Sequence, residues 1–80
     1  MNIRDGINFD VLDPQIYEDY QMGLRASWTI AKEFPEALVD KAAMLTAWEQ
    51  FKAEHYAFCE KMRIAHYPQY ASVDEMPWDI

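Results

Sequence analysis

Cysteine and glycine are scarce in this chain, and so is positive charge. The 80 residues hold one cysteine, Cys59, and two glycines, Gly6 and Gly23. A lone cysteine excludes a disulfide framework within one chain, so a reducing intracellular setting is expected. Two isolated glycines leave no Gly-rich phosphate loop, nucleotide fingerprint or EF-hand loop. No run of about 18 apolar residues occurs, so no transmembrane helix is encoded. Residues 1–6 lack the apolar core of a secretory signal. A cytoplasmic protein without membrane contact is therefore expected. Seven Lys and Arg oppose fourteen Asp and Glu, a formal charge of −7. Affinity for nucleic acid comes largely from Lys and Arg meeting phosphates, so direct binding to it is disfavoured. Anionic membrane surfaces are disfavoured for the same reason. The partner such a chain suits is basic.

What is abundant is apolar and aromatic. Hydrophobic residues make up 51% and aromatic residues 15%, ample for folding and against disorder. Eighty residues allow a single domain, 1–80, with one small core that buries only about 60% of the extended surface. So many large rings exceed what a small core needs, and a share of them is expected to face a partner.

The charge is unevenly placed. Residues 1–24 carry Asp5, Asp10, Asp13, Glu18 and Asp19 against Arg4 alone, a net of −4. Residues 25–66 carry six acids and six bases and sum to zero. Residues 67–80 add Asp74, Glu75 and Asp79 with no base. The whole excess thus lies in the two ends.

An all-α fold is predicted, as an elongated antiparallel hairpin of two helices at about 14–33 and 35–67. Residues 1–12 form an irregular N-terminal arm in this reading, with Ile7, Phe9 and Val11 alternating as a short extended segment would. Asp13 and Pro14 are a strong helix start, an N-cap followed by a residue whose missing N–H is no loss there. Gly23 then weakens helix one by roughly 1 kcal/mol against Ala. Pro35 ends it, because the residue before a proline is pushed out of the helical region. From Glu36 to Tyr67 there is neither Gly nor Pro. Along that run Ala37, Met44, Trp48, Phe51, Phe58, Met62 and Ala65 mark an apolar seam, with Lys41 and His55 in its two gaps. A helix of about thirty residues spans roughly 45 Å and overhangs a compact globule of this size. The excess seam is expected to bury against another copy or a partner. Pro68 stops the helix, and Ser72 with Glu75 suggests one further turn in the C-terminal tail.

Chemistry is harder to find. His55 and Cys59 share a helix face, but a structural zinc needs four ligands and His66 lies about three turns further on. No glycine-bearing turn near them could form an oxyanion hole. No metal, cofactor or catalytic residue is therefore assigned, and the chain is read as a non-enzyme.

Binding remains. Acidic residues interleaved with large rings are what interfaces use for steering and anchoring. The candidate partner-binding residues are Asp5, Asp10, Glu18, Asp19, Tyr70, Asp74, Glu75, Trp78 and Asp79. The expected function is an acidic interaction or inhibitor module. It would engage a basic, nucleic-acid-binding surface of a larger protein, as anti-defence inhibitors of phages and mobile elements do at class level. The alternative is a homo-oligomeric helical scaffold, a homodimer at its smallest, joined through Met44, Trp48, Phe51, His55, Phe58 and Met62.

Overall fold

An Asp-Gly pair makes the first element. In a computed structural model that describes residues 2–76, Asp5 and Gly6 take φ of 54° and 81°. Positive φ at both positions of a two-residue loop is what a tight hairpin of native twist demands. β1 (Ile3–Arg4) accordingly pairs antiparallel with β2 (Ile7–Asn8), Arg4 opposite Ile7 and Ile3 opposite Asn8. The hairpin is docked through backbone. The Gly6 carbonyl accepts from the amides of Val39 at 2.8 Å and Asp40 at 3.1 Å, and Ile7 bridges to Leu38. Ile7 and Phe9 are buried while Val11 is exposed. The stretch expected to be an irregular arm is thus part of the core, because Asp5-Gly6 supplies the turn and residues 38–40 supply a neighbour.

α1 (Pro14–Gln21) starts where predicted, with the Asp13 carboxylate accepting from the Gln15 amide at 2.8 Å. It stops much earlier than Glu33. Gly23 takes φ of 75°, its amide bonds the Tyr20 carbonyl at 3.2 Å, and the Leu24 amide bonds that of Asp19 at 2.9 Å. This pair of bonds around a left-handed glycine is the Schellman termination. α2 (Ser27–Glu33) then runs as a separate helix with residues 27–31 all buried. A helix buried on consecutive positions is enclosed on every side, and α2 is the centre of the molecule.

The second long helix is also divided. Pro35–Ala37 is a single tight turn, and Leu38 is extended at φ −77° and ψ 118°. Asp40 caps α3 (Lys41–Glu54), its carboxylate accepting from the Ala43 amide at 3.2 Å. At His55 the backbone departs to φ −130° and ψ 43°, and α4 (Tyr56–His66) follows. The all-α class holds, apart from the two-residue strands. The elongated hairpin of two continuous helices does not form, because a Schellman stop divides the first helix and a capped loop and a backbone break divide the second. The principal dimensions are 37 × 23 × 19 Å, too short for a 45 Å rod.

The core forms around α2. Trp28 stacks on Trp48 of α3 with ring centres 5.7 Å apart and meets Tyr67 edge-on at 5.6 Å. The Ser27 hydroxyl donates to the Met44 carbonyl at 3.2 Å. Beyond α4, residues 73–75 form the expected turn. The Glu75 amide bonds the Ser72 carbonyl at 3.1 Å, and no Ser72 side-chain cap is made. Val73 and Met76 fold back into the core.

Candidate interaction surface

The acidic residues of the first twenty-odd positions lie on short, exposed elements. Asp10 accepts from the Asn2 amide at 3.0 Å, Asp13 from the Gln15 amide, and Asp19 from the Gln15 side-chain amide at 3.0 Å. Glu18 is exposed. Every donor here is neutral. Among the described residues, none of Asp10, Asp13, Glu18 and Asp19 has an ion-pair partner. They follow one another along α1 and the turn before it, an acidic ridge in chain order.

Asp5 sits apart from that ridge. It accepts a hydrogen bond from the Tyr20 hydroxyl and lies 3.6 Å from Arg4, whose guanidinium sits 5.8 Å over the Tyr20 ring. Burial, and then the Asp5 carboxylate, push the Tyr20 phenol above its ordinary range. These groups line one side of a cleft of about 400 Å³, with Phe51, Glu54 and His55 opposite.

Elsewhere three of the bases meet acids of the helical body. Arg25 pairs with Glu33 at 2.8 Å, Arg63 with Glu60, and Lys52 with Glu49 at 3.3 Å. Lys52, whose stem is buried, also holds Asp74 at 3.3 Å. Asp74 therefore serves as a tie between tail and α3. Glu75 is exposed, and Tyr70 packs against the core while its carbonyl accepts from Arg63. Trp78 and Asp79 lie outside the described residues. The structure thus pairs Asp5 of the first acidic end and Asp74 of the second, and leaves Asp10, Asp13, Glu18 and Asp19 without an ion-pair partner among the described residues.

The seam residues are distributed as well. Met44 and Trp48 are covered by the protein's own α2. Phe51 is half-buried and meets His55 at a tilt of 48°, ring centres 4.8 Å apart. Phe58 and Met62 are also half-buried, and with Leu24, Tyr67, Asp19 and His66 they line a second cleft of about 550 Å³. Leu24, which helical spacing places on the apolar face of helix one, is not among the expected site residues and is exposed. The signal was Gly23: taken as a helix stop, it places Leu24 just outside α1.

Cys59 is buried, and burial raises its thiol pKa to about 11 despite the opposing pull of Lys52. Its chemistry is that of a small apolar residue. Among the described residues no three His, Cys, Asp or Glu side chains converge as metal ligands, and no helix is long and apolar enough to cross a membrane. No family model matches this chain, and no curated protein or solved structure matches it.

Proposed function

We propose that this chain is an acidic interaction or inhibitor module that binds a basic surface of a larger protein. One observation carries the reading: among the described residues, the four carboxylates Asp10, Asp13, Glu18 and Asp19, three of them exposed and Asp19 half-buried, have no ion-pair partner. Unscreened like charges repel one another and strain the fold that carries them. A partner rich in Lys or Arg relieves that repulsion and is drawn in by the long-range field. Basic sites of this kind are common where proteins grip nucleic acid, and a carboxylate ridge can occupy them in place of phosphates. The C-terminal acids contribute less, since Asp74 already has Lys52.

The test is capture of host proteins on the immobilised chain at low and high salt, in parallel with an Asp10→Lys/Glu18→Lys variant. A true partner is retained at low salt, released at high salt and missed by the variant. A partner held equally by both chains at high salt refutes the reading. The alternative of a homo-oligomeric scaffold has Phe58 and Met62 to offer, since Met44 and Trp48 are occupied. Sedimentation over a range of concentrations separates the two.

A further inference from the structure

The Schellman stop at Gly23 breaks a local rule. In that motif the residue after the glycine ordinarily packs on an apolar side chain three or four places back from the helix end. Here the residue after the glycine is Leu24, and the positions it should cover are Asp19 and Glu18. Neither can accept an aliphatic side chain, and Leu24 is left 52% exposed. It lines the 550 Å³ cleft together with Phe58, Met62 and Tyr67. Asp19 lines the same cleft and also belongs to the acidic ridge. Arg25 reaches the cleft too but is held by Glu33 at 2.8 Å. Local conflicts of this kind concentrate where function overrides stability.

We infer that this cleft receives a large aliphatic or aromatic side chain of the basic partner, carried on a segment whose adjacent Lys or Arg meets Asp19 and Glu18. The inference rests on the interaction reading above and specifies its anchor. Charge complementarity selects the occupant. An apolar residue alone would find the cleft, but only one flanked by cations also satisfies Asp19 on its wall and Glu18, the next residue of α1. The apolar contact that Leu24 lacks within its own helix is then supplied by the partner. A buried side chain of this kind gives an interface its residence time, while the ridge gives it its on-rate.

Two labelled synthetic peptides test this by fluorescence anisotropy at low salt. One is a Lys-rich helix former with leucines along one face; the other replaces those leucines with serine. The wild-type chain should bind the leucine peptide about tenfold more tightly than the serine peptide. Leu24→Ser, a change at an exposed site, should bring that ratio close to one while leaving the serine peptide's affinity unchanged. Glu18→Lys should weaken both peptides. An unaltered ratio in Leu24→Ser and also in Met62→Ala overturns the cleft assignment and leaves the acidic module standing. Failure of the wild type to bind either peptide overturns both. Concentration-dependent dimerisation that Leu24→Ser abolishes gives the cleft to a second copy and overturns the partner assignment.

Discussion

The Leu24 amide donates to the Asp19 carbonyl at 2.9 Å, and this bond turns the chain out of its first helix. It forms because Gly23 takes a φ of 75°, a region where a Cβ costs about 1–2 kcal/mol. Gly23→Ala should therefore lower stability by about that amount in urea unfolding. Gly23→Asn should cost less, since asparagine tolerates the left-handed region better. Both side chains begin at 3.4 Å from His55 Nε2, so crowding does not distinguish them at Cβ. Equal, negligible effects of both would show that the helix does not end on a left-handed residue.

Gly6 is the harder position to change. Its φ is 81°, and an added Cβ would stand 2.1 Å from the Asp40 carbonyl oxygen. Backbone on both sides leaves nothing flexible to move aside. Gly6→Ala should displace the hairpin from the start of α3, disturbing the bonds from Val39 and Asp40. The expected loss exceeds the 1–2 kcal/mol of the φ penalty alone. Amide exchange should rise at Val39 and Asp40 before it rises in α2. Unchanged protection at those two amides would contradict the docking described.

Much of this architecture was legible in residues whose local meaning competed with a longer pattern. Lys41 and His55 were the two polar gaps in the apolar seam, and the structure breaks its helices at those two places. Asp40 caps α3 immediately before Lys41, and His55 is the residue between α3 and α4. The helical period of the seam runs on through both gaps and so conceals the breaks. Similarly, Asp5-Gly6 is a hairpin signal and Gly23 a helix stop, each set within a longer stretch whose pattern masks it. Pairings across the chain were not legible. Nothing local ties Lys52 to Asp74 or the Gly6 carbonyl to Val39. The acidic ridge could be read as composition, but which end of the chain stays uncompensated depends on those tertiary ties.

Cys59 makes stability depend on pH in a defined direction. Burial raises its folded-state pKa from 9.0 to about 11, so the unfolded chain releases this proton first. The unfolded state then binds fewer protons, and stability falls as pH rises. The contribution is complete below the unfolded value and is lost between that value and about 11. Cys59→Ala should flatten the alkaline side of the stability profile in that window. Alkylation of native Cys59 near pH 8 should be slow and should accelerate in denaturant, because the thiolate is the reactive form. Rapid labelling of the folded chain would place the thiol outside the core.

Trp48 joins the two halves of the molecule. It is 3% exposed, stacks on Trp28 of α2 at 5.7 Å and lies 6.2 Å from Phe51 along its own helix. Truncation to alanine removes a large ring from between α2 and α3 and leaves a cavity that enclosed α2 cannot move to fill. Trp48→Ala should cost roughly 3–5 kcal/mol, a large share of the stability of a domain this small. Phe58→Ala, on the half-buried wall of the second cleft, should cost clearly less because water already reaches part of that ring. Urea titration of the two variants orders the sites. If Phe58→Ala proved the more damaging, the principal core would lie against α4, and Phe58 would belong to it and not to a surface left open for a partner.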